Sequence, residues 1–419
     1  MLERILEQDN LDEAYRRVKR NHGSGGVDGM SVEELGKFLA VHGDDIKCAI
    51  LGGKYRPSPV LRVEIFKEDG KKRPLGIPTA VDRVIQQAIA QVLTPIFEPK
   101  FAETSYGFRP KRSAHDALRK STEYIDEGYR FVVDMDLEKF FDTVNQSKLI
   151  QVLSEDIKDG RVISLIHKYL RAGVIVCKKF EETEIGVPQG GPLSPLLANV
   201  LLNELDHELE RRGHKFVRYA DDMLIFCKSK RAAERTLMNI TPFIENKLYL
   251  KVNREKTTVS YIRGVKFLGY SFRIAKGGKA VLCVHPKSVA KMKAKIKVLT
   301  CRSNGWGNDY RKRKLKQFIT GWVQYFKLAE MKTLLKDTDA WMRRRIRALI
   351  WKQWKKTKTK YRNLRKLGIS HKDAYKVANT SYGYWRAVNG SVVKVAITNK
   401  KLQRAGYTFF SDYYQQVGA

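Results

Sequence analysis

Hydrophobic positions alternate between two periods along the chain, and that alternation divides it. Leu2, Ile5 and Leu6, then Leu11, Ala14, Tyr15 and Val18, recur at helical spacing. Four glycines between Asn21 and Gly29 interrupt the pattern, and Ser31, followed by Glu33 and Glu34, caps a second predicted helix within residues 1–50. Arg62 to Phe66 reads as a strand, and Glu68-Asp69-Gly70 as a turn. Val84, Ile85, Ala88, Ile89 and Val92 mark one side of a helix from Val81 to Leu93. Phe131 to Leu137 is a strand. Val187 to Pro195 is a Gly/Pro loop that opens the apolar helix Leu196 to Leu209. Lys215 to Lys228 reads as two short strands about a turn, Ala232 to Lys247 as a helix, and Val265 to Ile274 as a strand. After His285-Pro286 the pattern turns helical and basic, with a loop at Gly305 to Asn308 and a charged linker candidate at Lys355 to Lys360. Irregular mixing of strands and helices, then a helical tail, predicts an α+β body with an appended α-helical module.

Composition sharpens this. The 419 residues carry 80 Lys and Arg against 45 Asp and Glu, a formal charge of +35, with 43% hydrophobic and 10% aromatic residues. Packed cores are expected and full-length disorder is not. No run of 18 apolar residues predicts a membrane span, and no basic-then-apolar leader follows Met1. The five scattered cysteines form no C-x-x-C pair, which fits a reducing compartment better than a disulfide framework or a zinc site. The charge points to a polyanion, nucleic acid first, because each phosphate contact releases condensed counterions. From Pro286 to Lys366 there are 26 Lys or Arg and four acids. Trp322, Tyr325 and Phe326 in this stretch have the three- and four-residue spacing of a helical core; other aromatics are available to stack on bases.

The candidate chemistry is carboxylate. Asp221 and Asp222 lie between Phe216-Val217-Arg218-Tyr219 and Met223-Leu224-Ile225-Phe226. Asp at a hairpin tip is ordinary turn chemistry. Flanked by apolar strands, two adjacent carboxylates also repel unless cations neutralise them, and Mg²⁺ favours such hard oxygen ligands. In Val133-Asp134-Met135-Asp136, the two acids point to one side of a strand, although Asp136 could equally cap a helix. Three acids on adjoining strands meet the requirement of a two-metal site.

These residues resemble a known family. Tyr219-Ala220-Asp221-Asp222 is similar to the Y-x-D-D signature of reverse transcriptases, and Asp136 with Phe141 and Asp142 to their motif A. Pro188-Gln189-Gly190-Gly191-Pro192-Leu193-Ser194-Pro195 resembles motif B of group II intron enzymes. Leu250 to Thr257 and Phe267-Leu268-Gly269-Tyr270 follow in the family's order. Arg73-Pro74-Leu75-Gly76-Ile77-Pro78 and Ser105-Tyr106-Gly107-Phe108-Arg109-Pro110 resemble its finger motifs, Val27-Asp28-Gly29 its N-terminal extension, and Gly321-Trp322-Val323-Gln324-Tyr325-Phe326 the maturase thumb. Eight motifs in order over about 250 residues, plus the thumb, resemble a group II intron-encoded reverse transcriptase/maturase. The Cys pairs and His residues of an HNH endonuclease do not follow the thumb, so the resemblance is to the compact, endonuclease-lacking group IIC type.

The resemblance implies a right-hand polymerase fold: an N-terminal extension (1–50), fingers and palm with an antiparallel sheet (51–285), a helical thumb or X domain (286–349) and a basic nucleic-acid-binding C-terminal domain (350–419). It implies RNA-directed DNA synthesis and assistance to splicing and retrohoming. The partners would be intron RNA, an RNA template with a DNA primer, target DNA and dNTPs, in a bacterial cytoplasm and not at a membrane. Asp136, Asp221 and Asp222 would bind two Mg²⁺ ions, with Mn²⁺ able to substitute. Lys67, Arg73, Gln189 and Arg109 would meet the nucleotide, with Lys71 and Lys72 as alternatives to Lys67. Phe141 would exclude a ribose 2′-hydroxyl, and Lys256 is a candidate general acid. Lys287, Lys291, Lys295, Arg311, Lys314, Arg343, Arg344 and Arg347 would contact nucleic acid. A non-catalytic RNA-binding scaffold, and a defence or diversity-generating reverse transcriptase, are the competing readings.

Overall fold

The computed structural model describes residues 1–66 and 72–418, with the side chains of 66 and 73 excepted. Lys67, the predicted 68–70 turn, Lys71 and the Arg73 side chain therefore lie outside the described residues. The chain forms two compact units, Met1–Ile262 and Arg263–Ala419.

The first unit holds two four-stranded sheets. One contains β1 (Val60–Phe66), β2 (Lys72–Ile77), β4 (Val174–Val176) and β5 (Lys179–Glu181), in the order β2-β1-β4-β5. The other contains β3 (Phe131–Met135), β6 (Lys215–Tyr219), β7 (Asp222–Cys227) and β8 (Thr258–Tyr261), in the order β6-β7-β3-β8. All its pairings are antiparallel. β3 is internal to this sheet, so Val132 and Val133 are both buried although they point to opposite faces.

The helix Lys230–Asn246 packs on β3, β7 and β8, the helix Ala114–Asp126 on β6, and further helices pack on one another. The helix Ala80–Phe97 buries Val84, Ile85, Ala88, Ile89, Val92 and Leu93 along one side. Thr79 caps it by accepting from the Asp82 amide. Asp82 in turn accepts from the Tyr55 hydroxyl and the Ser58 amide, which ties the approach to β1 to this cap. Burial raises the Asp82 carboxyl above its ordinary range. The second predicted N-terminal helix begins at Leu35; Ser31 and Glu34 form reciprocal hydrogen bonds one turn earlier.

The second unit opens with β9 (Lys266–Phe267), β10 (Tyr270–Ile274) and β11 (Ala280–Val284) as an antiparallel sheet, followed by helices. The single strand predicted over Val265–Ile274 is divided, because Leu268 and Gly269 both take positive φ and reverse the chain. Trp322 stacks on Phe326, and Phe410 meets Trp322 edge-on. Tyr325 stays 40% exposed and donates its hydroxyl to the Leu268 carbonyl. The predicted linker at Lys355–Lys360 instead enters a helix, Thr357–Lys366, anchored by the fully buried Leu364. Among the described residues no helix is long and apolar enough to cross a membrane.

Candidate active site

The β6–β7 hairpin closes through Ala220 and Asp221, because Tyr219 pairs with Asp222. Ala220 sits at φ +58°, a region that L side chains adopt only against steric cost. One buried hydrogen bond holds it there, from an arginine that is itself braced. The Arg218 Nη1 donates to the Ala220 carbonyl at 3.0 Å. The same nitrogen donates to Asn199 Oδ1 at 2.9 Å, and Nε and Nη2 fork onto the two Asp206 oxygens at 2.5–3.0 Å. Arg218 and Asp206 are 1% and 0% exposed, which makes this a dry, bidentate ion pair under the turn. Gly107 presses on the turn from its other side: a Cβ there would lie 2.2 Å from the Ala220 nitrogen.

One stripe of the helix Ser194–Arg211 organises this support. Asn199, Asn203 and Asp206, at i, i+4 and i+7, share a face and are buried among the apolar residues of this helix. Asn199 donates to the Gly107 carbonyl at 2.8 Å. Asn203 accepts from the Ala102 amide and donates to the Lys100 carbonyl. The segment from Lys100 to Gly107 is thus pinned to the helix that also supplies the partner of Arg218. These three residues and Arg218 were missed as site residues in the sequence. The signal was present as that polar stripe beside an arginine inside an apolar strand.

Asp136 follows β3. The ladder pairs Asp134 with Leu224 and Met135 with Met223, so one further step sets Asp136 opposite Asp222. Asp222 lies within β7, so alternation puts its side chain on the sheet face away from buried Met223. On the other side of β3, Asp134 pairs with Thr258, and two further steps reach Lys256. The Lys256 Nζ lies 3.2 Å from Asp136 Oδ2. Thr257 Oγ1 accepts from the Asp136 amide, and the Asn253 amide donates to the Asp136 carbonyl. Asp221 and Asp222 are both exposed.

All three groups are carboxylates, the hard oxygen donors that divalent cations prefer, and the Lys256 ammonium lies against Asp136. Among the described residues, no three His, Cys, Asp or Glu side chains are gathered closely enough to enclose an ion unaided.

Phe141 and Gln189 line a cavity of about 250 Å³ together with Arg62, Pro74, Gly76 and Lys139. Phe141 is 9% exposed and packs edge-on against Phe140. Gln189 is fixed to β2, whose Gly76 amide donates to its carbonyl at 2.7 Å. Gly190 takes φ +120° where a Cβ would strike the Gly76 carbonyl, so this loop position demands glycine. Arg62 and Lys139 are further cations of this cavity, outside the recognised motifs.

Three expected contacts are corrected. Arg109 is 7% exposed, and its guanidinium is consumed by Glu98 and the Ala102 and Ser105 carbonyls, so it braces its own loop. Arg311 is 3% exposed and donates to the Leu299 carbonyl and Asn304. Arg347 is 8% exposed and donates to the Ile397 carbonyl and Asn399. Each is turned inward by backbone carbonyls that need donors. Lys287, Lys291 and Lys295 are exposed, while Lys314, Arg343 and Arg344 are half-buried.

Residues 65–272 match the family described as reverse transcriptase (RNA-dependent DNA polymerase), so the chain is a template-directed polymerase by class. Residues 289–368 match the group II intron maturase-specific domain. Protein YkfC of Escherichia coli K12 is 34% identical over 311 residues, covering 64% of this chain and 82% of that protein. The group II intron-encoded protein LtrA of Lactococcus lactis is 32% identical over 370 residues, covering 66% of this chain and 60% of LtrA. A chain of a Cas6-RT-Cas1–Cas2 complex aligns at TM-score 0.37 and 25% identity, covering 59% of this chain and 42% of that one. The chain belongs to the group II intron-encoded reverse transcriptases, in which the polymerase domain precedes a maturase domain.

Proposed function

We propose that this protein copies group II intron RNA into DNA at a centre formed by Asp136, Asp221 and Asp222, and that its basic surfaces bind the intron to assist splicing and retrohoming. The reading is supported by the β3–β7 ladder, whose end pair Met135–Met223 leaves Asp136 and Asp222 as the next residues along the two chains, with Asp221 in the adjoining turn. Two Mg²⁺ ions, or Mn²⁺ in their place, would activate a primer 3′-hydroxyl and neutralise charge on the departing pyrophosphate. Asp136, Asp221 and Asp222 would hold the ions. Asp136 is kept in place by its backbone bonds to Asn253 and Thr257. Lys256, already 3.2 Å from Asp136, is the group able to give a proton to the leaving group. Lys67, Arg73 and Arg62 are assigned to the triphosphate, and Gln189 to the sugar end of the nucleotide. Lys287, Lys291, Lys295, Lys314, Arg343 and Arg344 are assigned to RNA or target-DNA phosphates, which predicts a steep loss of RNA affinity with salt. The protein would work among nucleic acids in the bacterial cytoplasm.

Primer extension on poly(rA) annealed to oligo(dT), with Mg²⁺ and dTTP, tests the assignment. Chelator-sensitive cDNA is expected, and no cDNA under any divalent ion would refute it.

Phe141 is assigned to sugar selection. Phe141→Ala would open the cavity floor and raise incorporation of ribonucleotides relative to deoxyribonucleotides by roughly 10–200-fold, the range of a steric pocket. Single-nucleotide incorporation of UTP against dTTP measures this. An unchanged ratio would return Phe141 to the core beside Phe140.

A further inference from the structure

Within the second unit, three large aromatics that are close in sequence are left in solvent. Tyr382, Tyr384 and Trp385 are 52%, 39% and 41% exposed, all within four residues at the start of the helix Tyr384–Asn389. Each is paired with an arginine. Arg386 lies over Tyr382 at 4.1 Å from the ring centroid, Arg302 over Tyr384 at 5.1 Å, and Arg344 over Trp385 at 5.5 Å. The arginines come from three different parts of the chain, so tertiary structure gathers this patch.

Exposing three rings costs hydrophobic burial that the neighbouring core could have used. A guanidinium over one face leaves the remaining ring surface for a planar partner and presents charge next to it. That combination suits a nucleotide, whose base stacks and whose phosphate meets the arginine. The surroundings agree in charge. Between Asp339 and Asp412 the chain has 19 Lys or Arg and one acid, Asp373. A duplex hides its base faces, so the fit is to unpaired nucleotides. Arg302 and Arg344 lie inside the group II intron maturase-specific match at residues 289–368, and the intron RNA is the occupant that this family match favours for the patch they back.

We propose that Tyr382, Tyr384 and Trp385, backed by Arg302, Arg344 and Arg386, form a stacking platform for unpaired bases of the intron RNA. This rests on the reading of the chain as an intron-RNA-binding protein.

The test is fluorescence anisotropy with labelled oligouridylate, and with oligodeoxyuridylate of equal length, on the full chain. The triple variant Tyr382→Ala, Tyr384→Ala, Trp385→Ala is expected to lose RNA affinity about tenfold or more while keeping the wild-type salt slope, because no phosphate contact is removed. The triple variant with Phe at the same positions keeps its π faces and is expected to bind as wild type. Wild-type affinity in the alanine variant would overturn the proposal. So would an equal loss in the phenylalanine variant, which would mark a structural defect. DNA bound as tightly as RNA, and lost equally, would overturn the choice of RNA. Primer extension by the unaltered chain is scored separately: its failure would refute the catalytic reading and leave the platform standing.

Discussion

Asp221→Asn combined with Asp222→Asn abolishes cDNA synthesis, with a loss of about 10³-fold or more in primer extension, and leaves RNA affinity intact. Asparagine keeps the size of each side chain and removes only the charge. A site that works by positioning and charge stabilisation cannot tolerate that at the reacting atoms. Both side chains are exposed at the hairpin, so the substitution creates no cavity. The turn's supports, Arg218, Asn199 and Gly107, are unaltered. Removing two negative charges from a chain of net charge +35 does not weaken its attraction to phosphate. Gel-based extension and filter binding on the same preparation check both halves. Synthesis at the wild-type rate would reject the assignment.

Arg218→Met is the second large effect, and it reaches the site from beneath. The substitution leaves Asp206 charged and unpaired where its exposure is 0%, a situation that costs about 3–5 kcal/mol. It also removes the donor that holds the Ala220 carbonyl, so the left-handed turn loses one of its constraints. Thermal unfolding should drop and primer extension should fall by about 10²-fold. The double variant Arg218→Met, Asp206→Leu separates the two effects. Replacing both partners of a buried pair by apolar groups is often neutral for stability. It should therefore recover most of the melting temperature without recovering activity, because the Ala220 carbonyl still lacks its donor. Full activity in the recovered double variant would mean that Arg218 serves stability alone.

Much of this site was legible in the sequence because its elements carry local signals. The apolar runs on either side of Asp221-Asp222 made two strands and a tight turn, and β6 and β7 fall within Lys215 to Lys228. The periodic helix ending at Leu93 and the Gly/Pro loop before Leu196 likewise match observed elements. What was not legible is where a long cation points. Arg109 sits in a motif, but its guanidinium turns to carbonyls of its own loop, a choice made by tertiary packing. Arg343, Arg344 and Arg347 were all expected to reach nucleic acid. Arg343 and Arg347 are four apart and share a side of the helix, so spacing could not tell them apart; the Ile397 carbonyl and Asn399, distant in sequence, draw Arg347 inward. The Arg218–Asp206 pair spans a helix and a strand twelve residues apart, and only the fold brings them together.

The central claim is that Asp136, Asp221 and Asp222 share one cation-binding centre. Crystals of the protein with template, primer and a non-reactive dNTP, grown in Mn²⁺, give anomalous density that locates the metal independently of any assumed coordination. Density bounded by all three carboxylates, with Lys256 displaced from Asp136, is the predicted result. Density elsewhere on the chain, or Asp136 still paired to Lys256 in the complete complex, would contradict it.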